Sequence, residues 1–108
     1  MSLSTHVLDA SVGRPAAGVA VCLERRDGGD WSPADEGRTD ADGRLKGLSA
    51  GAAGDYRLLF GTGDYFAQRG VEAFHPEVVV AFRITDPAEH HHVPLLLSPY
   101  SYTTYRGS

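Results

Sequence analysis

The strongest constraint on how this chain can fold is its period of two. Between residues 76 and 84, Val78, Val80, Phe82 and Ile84 alternate with Val79, Ala81 and Arg83; earlier, Val19, Val21 and Leu23 recur at the same spacing. Residues two apart share a face of an extended strand, so each run buries one side and turns the other outward. Further β-prone runs cover residues 6–9, 55–60, 91–97 and 100–105, with others around Trp31 and up to Thr39. Gly and Pro punctuate them. Asp27-Gly28-Gly29-Asp30 and Asp40-Ala41-Asp42-Gly43 read as tight turns, because Gly tolerates the positive φ such turns need. One segment, residues 62–70, reads as a helix, with Thr62 or Asp64 as its cap and Gly70 as its stop. Many short strands and one helix predict an all-β, two-sheet β-sandwich. Cys22, inside a well-patterned strand, is expected to be a small core residue.

At 108 residues the chain suits a single domain, 1–108, burying roughly two-thirds of its unfolded surface. That leaves little volume for a deep internal site. A net charge of −4 argues against nucleic acid or an anionic membrane as partner. No apolar run approaches a membrane span, and the first residues lack the pattern of a signal peptide. A single cysteine makes no intramolecular disulfide and is compatible with a reducing compartment. The expected location is the cytoplasm.

Three of the five histidines are consecutive, His90-His91-His92. On a strand, His90 and His92 share one face and His91 takes the other. The plain reading is an exposed polar stretch; the functional readings are acid–base chemistry or metal ligation. For a metal, His6 is the other histidine in a strand-like context, but no Cys or Glu is spaced to complete a compelling zinc site. His75, before Pro76, reads as a surface or capping residue. Arg44 leaves the Asp-Gly turn and gains interest if it converges with histidines, since its guanidinium presents a fixed fork of donors. No nucleophile elbow, phosphate loop or dinucleotide fingerprint is present.

The C-terminal run His92-Val93-Pro94-Leu95-Leu96-Leu97-Ser98-Pro99-Tyr100 and the closing Tyr105-Arg106-Gly107-Ser108 resemble the 5-hydroxyisourate hydrolases, the transthyretin-related enzymes of urate breakdown. His6-Val7-Leu8-Asp9, Gly13-Arg14-Pro15-Ala16, the segment from Thr39 to Arg44, Tyr65-Phe66 and Phe74-His75-Pro76-Glu77-Val78 resemble the same family in order along the chain. His91 departs from it, standing where tyrosine is common.

The resemblance implies a transthyretin-like sandwich and hydrolysis of 5-hydroxyisourate to 2-oxo-4-hydroxy-4-carboxy-5-ureidoimidazoline. It implies His6, Arg44, His92 and Ser108 as catalytic residues, with His6, Arg44 and Tyr105 contacting substrate. It further implies a homotetramer, a dimer of dimers, with sites in the channel between dimers. No metal or other cofactor is expected. The alternative is a transthyretin-like carrier of a small ligand without catalysis, which would differ at these positions and lack the Tyr-Arg-Gly-Ser end.

Overall fold

The computed structural model describes residues 2–108. Its strands are β1 (Ser2–Asp9), β2 (Arg14–Pro15), β3 (Ala20–Asp27), β4 (Asp30–Arg38), β5 (Arg44–Leu48), β6 (Gly54–Phe60), β7 (Val78–Ile84), β8 (His90–Leu97) and β9 (Tyr102–Thr104). They form two sheets. One has the order β2-β1-β8-β9, with β5 also paired to β1; the other runs β4-β3-β6-β7. This is the expected sandwich.

The alternating positions supply the core. Leu3 and Val7 of β1, Val21 and Leu23 of β3, Tyr56, Leu58 and Phe60 of β6, Val78 and Ile84 of β7, and Leu95 of β8 are all buried. The same alternation corrects one expectation. Val21 and Leu23 point inward, so Cys22 between them points outward, and it is an exposed free thiol rather than a core residue. The segments around Trp31 and Arg38 are one strand, β4, whose pairing with β3 shifts at Leu23/Glu24; Pro33 is tolerated because β4 lies at the sheet edge.

The helix α1 spans Thr62–Ala67. Neither expected cap is used: Gly61 occupies the cap position with no side-chain hydrogen bond, and Thr62 lies inside the helix, buried. Six residues cannot sustain a helix alone; packing holds this one through buried Tyr65 and Phe66. The Tyr65 hydroxyl donates to Asp9 Oδ2 at 2.9 Å. Burial first, and then the Asp9 carboxylate, push the Tyr65 phenol up to about 12. Gly70, with φ of +69°, lies in the turn beyond the helix.

β1 and β8 run parallel over their full lengths, from Ser2 opposite His90 to Asp9 opposite Leu97. Antiparallel pairing of β9 with β8 ends at Leu95 opposite Thr104. The next residue of β8 is Pro94, which has no N–H to give to a ladder. Beyond it the tail keeps the same register: His92 and Gly107 form a bridge, with Gly107 N–H donating to the His92 carbonyl at 2.9 Å. The chain end is thereby held beside the histidine run.

Candidate active site

Strand alternation sorts the three histidines. His91 turns inward, is buried, and donates from Nδ1 to the Glu89 carbonyl at 3.0 Å. It is therefore no part of an exposed polar stretch. His90 and His92 turn outward with their rings stacked, centroids 6.2 Å apart. On β1, Leu3, Thr5 and Val7 are fully buried, and alternation puts Ser4, almost fully buried, and His6 on the other side. Ser4 lies opposite His92 in the parallel pair, and His6 lies opposite Arg44 of β5.

The turn before Arg44 is built to deliver it. Asp40 Oδ1 accepts from the N–H groups of Asp42 and Arg44 at 2.8 and 3.0 Å. These bonds, that from Arg44 foremost, hold the Asp40 carboxyl below its ordinary range. Gly43 has φ of +75°, and a Cβ there would lie 2.3 Å from the Val7 carbonyl oxygen. Only glycine lets the turn sit this close to β1. The Gly43 carbonyl in turn accepts from Val7 N–H at 2.7 Å, locking the turn against the strand that carries His6.

Ser4, Thr5, Arg44, Lys46, His90, His92 and Ser108 line an open cavity of about 220 Å³ on this outer face. Three of the four expected catalytic residues, Arg44, His92 and Ser108, thus meet. His6 lies at the margin rather than in the wall: its Nε2 donates to the Asp42 carbonyl at 2.9 Å. A carbonyl oxygen only accepts, so His6 carries its proton on Nε2 in this arrangement. Tyr105 is exposed and lines a separate groove of about 340 Å³ together with His91, His92 and Arg106. Of these residues His92 alone borders both hollows.

The surroundings of His92 perturb its imidazole. Burial, then the charges of His90, Arg44 and His6, lower its pKa below the ordinary imidazole value, and a hydrogen bond with the Ser4 backbone works the other way. The shift favours neutral imidazole, the state that accepts a proton. Its Nδ1 lies 2.8 Å from Ser4 Oγ. On the opposite edge, a Cβ on Gly107 would lie 2.5 Å from His92 Cδ2, so the glycine of the tail abuts the ring. Among the described residues there is no cluster of three or more His, Cys, Asp or Glu side chains able to hold a metal.

Ser4 and Lys46 escaped the sequence reading. Both are two residues from a recognised site residue, Ser4 from His6 and Lys46 from Arg44, so the period-two rule could have found them. His75, expected at the surface, is half-buried between the rings of Phe74 and Tyr102, away from the cavity.

Comparison with known proteins agrees in direction. The family model described as HIUase/Transthyretin family matches residues 3–107. A 5-hydroxyisourate hydrolase of Salmonella typhimurium is 50% identical over 109 residues, which cover 98% of this chain and 80% of that protein. The solved structure of Klebsiella pneumoniae 5-hydroxyisourate hydrolase superposes with a TM-score of 0.89 at 39% identity, covering 99% of this chain and 98% of that one. Sea bream transthyretin in complex with thyroxine superposes at 0.92 with 35% identity, covering 97% and 93%. The fold alone does not separate a hydrolase from a carrier; the side chains in the cavity must.

Proposed function

The chain belongs to the HIUase/Transthyretin family, and from that membership we infer that it is a 5-hydroxyisourate hydrolase whose reaction runs in the cavity bounded by His92, Arg44 and Ser108. The substrate is a planar, oxidised purine. Water adds to a carbonyl carbon of the six-membered ring, the ring C–N bond breaks, and the carbon becomes the carboxylate of 2-oxo-4-hydroxy-4-carboxy-5-ureidoimidazoline. In this reading His92, neutral and partly desolvated, takes the proton from water and returns it to the departing nitrogen. Arg44, held by its turn at the cavity wall, faces the carbonyl edge and stabilises the oxyanion. Ser108 orients water or substrate. His6, committed through Nε2 to the Asp42 carbonyl, braces the arginine turn and contacts substrate from the margin. Tyr105 reaches substrate from its own groove across His92.

The observation that carries the proposal is the convergence of a pKa-lowered histidine, an arginine and the chain-end serine on one cavity. A carrier would want an apolar lining, whereas this wall bears Arg44, Lys46 and two histidines. The assembly in this reading is a homotetramer, a dimer of dimers, in the cytoplasm. Support for the tetramer comes from Val12 and Tyr100, both well exposed in turns that leave the same end of the β1–β8 pair. The exposed free thiol of Cys22 suits a reducing compartment.

The test is a coupled assay in which urate oxidase generates fresh 5-hydroxyisourate and its spectroscopic decay is followed with and without the protein. Acceleration by the native chain, with a loss of about 10²–10⁴ in His92→Ala and about 10²–10³ in Arg44→Ala, is the expected result. Native protein that leaves the decay unchanged, or a fully active His92→Ala, would defeat the reading.

A further inference from the structure

The reaction leaves one part of the site unexplained: the buried hydroxyl between two histidines. Ser4 is 8% exposed, lies directly across from His92 in the parallel β1–β8 register, and places Oγ 2.8 Å from His92 Nδ1 and 3.4 Å from His90 Nε2. All three residues line the cavity, with the two imidazoles stacked within 16° of parallel.

We propose that Ser4 is a positioning residue for His92: its oxygen accepts the Nδ1 proton of His92 while its own proton is donated to His90 Nε2, so that His92 presents the Nε2 lone pair to the cavity. The inference rests on His92 acting as the base. Which imidazole nitrogen bears the proton is set by the hydrogen bond the other ring nitrogen makes. A base that takes a proton through Nε2 must hold its own proton on Nδ1, and the Nδ1 atom of His92 meets Ser4 Oγ. The hydroxyl, having accepted, still owns a proton that needs an acceptor in a buried setting. His90 Nε2 is the group in reach.

The opposite polarity, in which Ser4 donates to His92, would leave His92 with its proton on Nε2 and make it a donor to the cavity. The opposite edge of the ring is fixed as well. The tail backbone at Gly107 lies against Cδ2, so the imidazole is held on both sides. The run His90-His91-His92 thereby divides three ways: His92 does the chemistry, His90 anchors Ser4, and His91 turns into the interior.

The charged and titratable groups that face His92 are His6 from β1, Arg44 and Lys46 from β5 and His90 on its own strand, with Arg83 of β7 and Tyr105 and Arg106 of the tail lining the second hollow it borders. Hydrogen bonds reach the ring from Ser4, through its backbone and through Oγ at Nδ1.

Long-range ¹H–¹⁵N correlation of the ¹⁵N-labelled native protein, above the pH at which His92 titrates, reads the tautomer directly. The His92 signals are identified by their loss in His92→Ala. The expected result is a protonated Nδ1 and an unprotonated Nε2. In Ser4→Ala the His92 signals should move toward a mixture of tautomers, with kcat falling roughly tenfold or more and KM little changed. A wrong tautomer in a comparable histidine-dependent hydrolysis costs up to about 10⁴. Ser4→Thr should restore both readouts, and His90→Phe, which keeps the stacked ring but removes the acceptor, should move them in the same direction as Ser4→Ala. A native His92 protonated on Nε2 would overturn the proposal, as would a Ser4→Ala protein with native His92 signals and native kcat. The spectra are recorded without substrate, so this failure is distinct from an absence of hydrolysis by the native chain.

Discussion

At the scale of single residues, the protein separates five histidines that look alike in sequence. His92 is partly desolvated and crowded by positive neighbours, and both effects disfavour the imidazolium. The sign for catalysis follows. If the neutral form is the base, activity is lost as pH falls through the pKa of His92, and that pKa lies below the ordinary imidazole value. The acid limb of kcat/KM is therefore expected below about pH 6.5, and a limb at or above that value would contradict the assignment. Gly107 gives a second prediction. Replacing it with Ala puts a methyl group 2.5 Å from His92 Cδ2 and 3.1 Å from the Pro94 ring, distances that force one of them to move. We expect Gly107→Ala to lower kcat while leaving the thermal midpoint nearly unchanged, because the tail is surface chain; coupled-assay kinetics and a melting curve on one sample would check both.

At the scale of elements, the site depends on two attachments to β1. The Asp40–Gly43 turn docks at Val7 and presents Arg44, and helix α1 docks two residues further along, at Asp9, through Tyr65. Asp9 is 1% exposed, and its Oδ1 is engaged by the N–H and hydroxyl of Ser11. Tyr65→Phe would remove the donor to Oδ2 and leave a buried carboxylate oxygen without it. The expected cost is about 1–3 kcal/mol of folding stability, read as a lower urea midpoint with kcat preserved. Unchanged stability would mean that α1 is held by its apolar face alone. The strand pair β1–β8 has a different role. Its parallel register sets Ser4 against His92, and a slip of one residue would turn every outward side chain inward.

At the scale of the whole molecule, the cavity is a shallow feature on the outer face of one sheet, as a 108-residue sandwich with a filled interior requires. Ser108 forms part of its wall. Adding several residues after Ser108 is expected to cut turnover severely with the fold intact, and a tagged protein of native activity would remove Ser108 from the site. If a second copy completes the channel, sedimentation should report four times the 11.6 kDa chain, with the rate per chain falling on dilution below the assembly's dissociation range. A monomer of full activity would show that one sheet face suffices.

The sequence determined most of the sheet-forming segments, because period-two alternation is a local property that Val78 to Ile84 display without reference to the rest of the chain, whereas β2, β5 and β1 before His6 carry no such run. It also separated His91 from His90 and His92, and it marked the Asp-Gly turn that delivers Arg44. Cys22 was misjudged for an instructive reason: membership of a patterned strand does not by itself say which face is inside, and its buried neighbours Val21 and Leu23 settle that. Only the tertiary structure decided what meets what. Ser4 lies 88 residues from His92 in sequence, yet a parallel pairing sets them side by side. Pro94 interrupts a ladder that the tail then rejoins at Gly107. Alternation fixes the face a side chain takes, but register between distant strands depends on the whole folded core, so the tautomer of His92 is written in contacts rather than in the local sequence.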